Sequence, residues 1–236
     1  MIKLSVREMA QYIISDEHAR IELLRTRKYL SLESIARVRF YSESRRSITA
    51  YHRGALSRDG MEAKIFAMRD EARHANAFHR TELLSNADVL ERYLYYQGHR
   101  TLHLAPAPAA DLVSGEVEIA VRPSMFAIED EDTRRLIFLE LREKFSLYAM
   151  RVIAELAYAA FRPVLPNLPA RAIQVIDVRR GIVTELQQAG IAIRRELADA
   201  CRAISATWPH LTPPSGAPPP VRDTERQLAI AWDFET

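Results

Sequence analysis

Glycine is scarce in this 236-residue chain, with only 7 residues, and cysteine is limited to Cys201. Scarce glycine weighs against phosphate-cradling loops, and neither GxxxxGK[ST] nor GxGxxG occurs. A single cysteine excludes an internal disulfide framework, and on an amphipathic helix with no nearby histidine it reads as a small core residue. The longest unbroken apolar run, Leu156 to Phe161, is far short of the roughly 20 residues that span a bilayer, so no membrane partner is expected. No apolar segment follows the first lysine, so the expected compartment is a reducing, bacterial-type cytoplasm. Net charge is also small, at +2, and 48% of residues are hydrophobic. That much apolar surface excludes disorder throughout, and a chain of this length buries roughly 70% of its unfolded surface.

The small net charge hides an uneven distribution. Residues 1–100 carry 18 Lys/Arg against 13 Asp/Glu, and the remainder carry 15 against 18. The densest basic stretch runs from Arg20 to Arg53. It includes Arg25, Arg27, Lys28, Arg37, Arg39, Arg45 and Arg46, interleaved with Tyr29, Phe40, Tyr41 and Tyr51. Guanidinium groups fork onto phosphate and aromatic rings stack on bases. These seven basic residues are therefore the candidate nucleic-acid contacts, with a solvated helix face as the alternative.

Periodicity separates a helical first part from a mixed second part. Ser5 and Glu8 form a capping box before a helix to about Ser15. Further helices are expected over about 16–29, 42–53, 62–78 and 86–96, the last capped by Asn86 and ended by Gly98. Ala105 to Ala110 alternates with proline and reads as a stiff connector. "SGEVEIAVRPSMFAI" alternates as a strand, and "RLIFLEL" is apolar enough for the middle of a sheet. A helix from Phe145 to Phe161 follows, then the strand "RAIQVIDV", a turn at Arg179-Arg180-Gly181, and "IVTEL" returning as a hairpin. A last helix covers about 188–207. Six of the twelve residues 209–220 are proline, which excludes a helix or a central strand there. The expected class is α/β (α+β): a helical region at 1–104, a small mixed sheet flanked by helices at 105–208, a proline-rich linker at 209–220 and an acidic tail at 221–236.

One arrangement in the second part carries chemistry. Glu118 lies in the first strand of that block, the triplet Glu140-Leu141-Arg142 in the next, and a long helix and hairpin follow. Over about residues 112–187 this order resembles the restriction-endonuclease-like, or PD-(D/E)XK, nuclease superfamily. The resemblance implies a restriction-endonuclease-like fold with the first part as a helical extension. It also implies Mg²⁺ or Mn²⁺ held by two carboxylates, here Glu118 and Glu140, for attack of water on a phosphodiester. The lysine two residues after the second carboxylate shares its strand face by alternation. Arg142 stands at that position, and Lys144 two further on. The first acid has a second placement: Pro123-Ser124 occupies the Pro-Asp step, and a serine there has lost the carboxylate. The resemblance thus implies either a metal-dependent DNA nuclease with an altered motif or a catalytically degenerate relative that binds DNA. On the helix after the triplet, Arg151 and Glu155 are spaced as an i, i+4 ion pair.

Other constellations are incomplete. Glu71-x-x-His74 has the carboxylate–imidazole spacing of di-iron bundles but no second copy. Seven scattered histidines without cysteine clusters make no zinc site. The tail offers a different class of function. Trp232 and Phe234, flanked by acids after the proline-rich tether, suit a docking peptide for a partner protein, in which case the chain is a non-enzymatic subunit.

Overall fold

The computed structural model describes residues 1–29, 31, 39–130, 133–142, 145–187 and 190–213. Among these the order of elements is β1 (Ile2–Ser5), α1 (Val6–Ile14), α2 (Glu17–Lys28), α3 (Ser42–His52), α4 (Arg58–Glu71) and α5 (Ala77–Tyr96). Then come β2 (Leu102–Ala105), β3 (Ala110–Ser114), β4 (Val117–Val121), β5 (Met125–Glu129), β6 (Thr133–Glu140), α6 (Leu147–Phe161), β7 (Ile173–Asp177), β8 (Ile182–Glu185) and α7 (Ile191–Thr207). The class is mixed α/β, as expected from the periodicity. No helix of the described residues is long and apolar enough to cross a membrane.

Two sheets organise the chain. The larger has the order β2-β5-β6-β7-β8, in which only β6 and β7 run parallel, joined through α6. The smaller has the order β1-β4-β3. Alternation along β6 sends Leu136 and Phe138 to one face and Ile137 and Leu139 to the other. The first face meets α6 and α1, and beyond them Val117, Ile119 and Val121 of the small sheet. The second face meets α3, α4 and α5 through Ile48, Met61, Leu90 and Tyr93. Both faces of β6 are therefore covered, which is why its sequence reads as an apolar run rather than an alternating one.

Local chemistry sets the helix starts. The capping box is present: the Ser5 hydroxyl accepts from Glu8 N at 3.2 Å, and Ser5 N donates to Glu8 Oε2 at 2.6 Å. Asp16, Ser57, Asn76 and Ser146 cap α2, α4, α5 and α6 through their side chains.

Several sequence expectations are corrected. The "SGEVEIAV…MFAI" segment is two strands in different sheets, with Arg122-Pro123-Ser124 carrying the chain between them. The expected Ala-Pro connector is flanked by β2 and begins β3. Asn86 does not begin a helix. It lies inside α5, fully packed, where its Oδ1 accepts from Ser44 N at 3.0 Å and its amide donates to Phe40 O at 2.6 Å. The expected boundary at residue 104 is crossed by two strand pairings, since β1 lies parallel to β4 and β2 antiparallel to β5. Leu211, placed in the linker, is buried against the core. The rest of the linker beyond residue 213, and the tail, lie outside the described residues.

Candidate functional site

The carboxyl ends of β6 and β7 bring two acids together. Register pairs Glu140 with Asp177 across the parallel strand pair of the large sheet. Both fall on the face that meets α6, because they continue the Leu136–Phe138 and Ile173–Val175 series. Glu140 is 3% exposed and Asp177 1%. In open α/β sheets the carboxyl ends of parallel strands are where ligands are met, since the connecting loops diverge there.

The two carboxylates are held differently. Asp177 Oδ1 accepts from Arg180 N at 3.0 Å, and Oδ2 pairs with Arg180 Nε. Arg180 also reaches Phe145 O, just before α6. Glu140 Oε1 accepts from Arg142 N at 3.0 Å. Glu140 Oε2, by contrast, is buried without a hydrogen-bond partner among the described residues. Arg7 Nε lies 3.6 Å from it, beyond hydrogen-bonding reach. Arg7 instead gives Nη2 to Leu139 O at 2.7 Å and lies 3.5 Å from Ser124 Oγ. That hydroxyl accepts from Leu139 N at 3.0 Å. Ser124, Arg7 and Glu140 therefore form one nest, with Asp177 paired beside Glu140 in the strand register and the exposed residues Arg142 and Arg180 following the two strands. A buried carboxylate oxygen with no donor costs free energy that a structural role does not require.

Other buried acids are fully used. Glu155 on α6 accepts from Gly190 N at 2.7 Å and from Arg151 Nε at 3.3 Å, so it caps α7 and keeps the expected i, i+4 pair. Glu129 lies between Arg100 at 2.7 Å and Arg135 at 3.0 Å. The Arg100 hydrogen bond, above all, holds its carboxyl below the usual carboxylate range. In the helical layer, His52 Nε2 lies 2.5 Å from Tyr93 Oη, and burial first, then Arg100, lowers His52 to about 4. His79 bridges Glu71 and Glu82 on the surface, and their hydrogen bonds raise its pKa. These networks tie separate elements together.

The expected metal pair is not assembled. Glu118 sits on the outer face of the small sheet, opposite Val117 and Ile119, and pairs with Lys3 at 3.2 Å. It belongs to a different sheet from Glu140. The neighbour of Glu140 is Asp177, which the sequence shows only as the polar end of an apolar strand. Arg142 also departs from expectation, because β6 stops at Glu140 and Arg142 lies in the bend beyond it. Of the two placements for the first acid, Ser124 is the one found in the nest. Lys144 lies outside the described residues, as do Arg37, Trp232 and Phe234.

The basic stretch is not the free face its composition implied. Arg27 and Arg45 are buried. Arg27 donates to Lys3 O at 3.0 Å and lies 3.6 Å from Glu8. Arg25 and Lys28 reach the carbonyls of Thr212, Trp208 and Leu211. Arg46 stands 3.9 Å from Glu43, and Arg39 is exposed. These cations mostly satisfy backbone carbonyls and carboxylates that α1, α2 and the end of α7 would otherwise leave open.

Among the described residues, no group of three or more His, Cys, Asp or Glu is placed to hold a metal ion. A Mg²⁺ or Mn²⁺ ion would rest on Glu140, whose Oε2 has no hydrogen-bond donor among the described residues, with Asp177 on the paired strand. Magnesium sites commonly combine one or two carboxylates with substrate phosphates and water, so the donor set fits on Glu140 and is weakened at Asp177 by Arg180. No protein-family model matches the chain, and no curated protein matches it either.

Proposed function

We propose that the chain is a nucleic-acid-associated protein of nuclease-like layout whose phosphate-binding centre is the Glu140–Asp177 end of the large sheet. The observation that carries this reading is Glu140 Oε2: a buried carboxylate oxygen with no hydrogen-bond donor among the described residues, on a strand paired with that of a second buried carboxylate and followed by exposed arginines. The order of elements supports it as well. Ser124 precedes β5, Glu140 closes β6, and α6 leads to the parallel β7, which is the order the nuclease resemblance implies.

In this reading Arg142 and Arg180 receive the phosphate backbone, since a planar guanidinium pairs with phosphate oxygens bidentately. A divalent ion, when bound at Glu140, supplies Lewis-acid stabilisation of the charge that develops on a phosphodiester during hydrolysis. Arg7 holds the Glu140 end of β6 in place through Leu139 O. Arg180 orients Asp177. Ser124 stands where the superfamily carries an aspartate, and its hydroxyl is already committed to Leu139 N. The rim arginines carry the DNA-contact role in place of Arg25, Arg27 and Lys28, which the fold commits to its own carbonyls.

The test is cleavage and binding of labelled single- and double-stranded DNA with Mg²⁺ or Mn²⁺, comparing wild type, Glu140→Gln and Arg142→Glu. Metal-dependent cleavage lost in Glu140→Gln establishes a deoxyribonuclease. Salt-sensitive binding without cleavage, weakened in Arg142→Glu, establishes the binding form of the same reading. Absence of both cleavage and binding overturns it.

A further inference from the structure

A second feature lies at the same end of the large sheet. A cleft of about 300 Å³ wraps the end of edge strand β2, between the carboxyl end of α3 and the start of β5. Ser124 lines it and also belongs to the Glu140 nest through Leu139 N and Arg7. The antiparallel pairing places Ala105 opposite Phe126, so the cleft opens at the end where β6 delivers Glu140. The cleft and the nest are neighbours at one end of the large sheet.

The walls have a definite chemistry. Arg53 stands exposed at the rim, and no ion pair engages it among the described residues. Arg122 is fixed in the wall by Ala110 O at 2.6 Å and Asp111 at 2.8 Å. Phe126 lines the cleft from the other face of the sheet, where its half-buried ring also packs partly against the α6 core. Thr49 adds a hydroxyl, and Ala107 forms an exposed lip. The combination is two cations, one aromatic ring and two hydroxyls around a small space, the Ser124 hydroxyl being shared with the Glu140 nest. Sequence-tolerant single-strand sites are built this way, with cations on the backbone and a ring against the base. The volume lies at the lower bound of small-ligand pockets, about 300–1,000 Å³. It admits a unit of nucleotide size and not a double helix.

We propose that this cleft seats one unpaired nucleotide of a bound single strand, with its phosphate on Arg53 and its base against Phe126, next to the Glu140 centre. The proposal rests on the nucleic-acid reading above and adds a preference for an unpaired segment.

Fluorescence anisotropy tests it, with a labelled oligothymidine and a labelled hairpin duplex titrated at several salt concentrations. The variants are Arg53→Glu, Ala107→Trp and Arg142→Glu. Arg53 and Ala107 are exposed, so both cleft variants keep the core. Arg53→Glu is expected to weaken oligothymidine binding about tenfold, the loss of one charge-assisted contact. It should also reduce the slope of log K against log salt by about 0.7, one single-strand phosphate contact. Ala107→Trp, which fills the cleft, should weaken oligothymidine binding without changing duplex binding. Wild-type oligothymidine binding in both cleft variants, alongside loss in Arg142→Glu, overturns the cleft assignment and leaves the proposed function standing. Equal weakening toward oligothymidine and duplex overturns the assignment to an unpaired strand. Failure of the wild type to bind either probe overturns both readings together.

Discussion

Replacing Glu140 by glutamine separates a carboxylate kept for a ligand from one kept for the fold. The amide preserves the shape and the Oε1 acceptor for Arg142 N, and removes the charge. Two contributions oppose each other. At an effective dielectric of about 20, the 3.6 Å approach to Arg7 is worth roughly 4–5 kcal/mol of Coulomb energy. Burying the two ions costs several kcal/mol each before relaxation, so the pair about breaks even. The missing hydrogen bond at Oε2 adds a cost of about 1–3 kcal/mol, and the amide NH2 that takes its place carries a similar cost. Arg7 keeps its bond to Leu139 O and is partly exposed, so it does not become a stranded charge. Glu140→Gln is therefore expected to be neutral to within about 1 kcal/mol, a change in Tm of no more than roughly 2–4 °C in a chain of this size. Thermal unfolding should be followed with and without Mn²⁺. The ion should raise the wild-type Tm by mass action and leave the variant unmoved. A fall of about 6 °C or more on substitution, equal in both conditions, would show that Glu140 anchors Arg7 as part of the fold, and the argument from its unsatisfied oxygen would fail.

Three further outcomes rest on packing and charge. Gly181→Ala should destabilise by about 2–4 kcal/mol, because Gly181 has φ of +68° and an added Cβ would fall on the Tyr96 ring; denaturant unfolding of the variant, alone and with Tyr96→Ala, should show partial rescue. Asn86→Ala should cost about 2–4 kcal/mol by leaving Ser44 N and Phe40 O without partners in the interior; chemical denaturation measures it, and a loss under about 1 kcal/mol would refute the interior role. His52 is held neutral down to about pH 4 while an unfolded histidine charges near 6.5, so the unfolded chain binds more protons between those values. Stability should fall through that window as pH drops, by about 2 kcal/mol once partial exposure is discounted, and His52→Gln should flatten the fall in a Tm–pH series.

What the sequence reveals here is set by how local the cause is. The Ser5–Glu8 capping box and the apolar strand through Leu139 have causes within a few residues, and both are present as read. Asn86 was legible as a helix start because asparagine favours caps. Its side chain instead satisfies Ser44 and Phe40 from another part of the helical layer, a tertiary bond that no local pattern records. Strands β1, β2 and β3 are four or five residues long, and they exist because β4 and β5 supply their hydrogen bonds. The candidate site divides along the same line. Glu140 stands out as a carboxylate ending an apolar strand. Asp177 has the same local signature, but its place beside Glu140 comes from the parallel register across α6, which only the fold determines.

Charge is the least legible property, because a basic sequence segment and a basic surface are different things. Five donors in a planar fork let one arginine satisfy several acceptors at once. Arg20 donates to both Tyr12 O and Ile13 O at the end of α1, Arg27 to Lys3 O, and Arg25 and Lys28 to the segment after α7. These side chains close carbonyls that helix and strand ends leave open, so their number reflects how many ends meet around α1 and α2. A guanidinium available to a ligand must instead be exposed next to groups that its own fold leaves unsatisfied. Arg142 meets that condition most directly, because it is exposed and its backbone N–H holds one oxygen of Glu140, whose other oxygen is buried with no hydrogen-bond donor among the described residues.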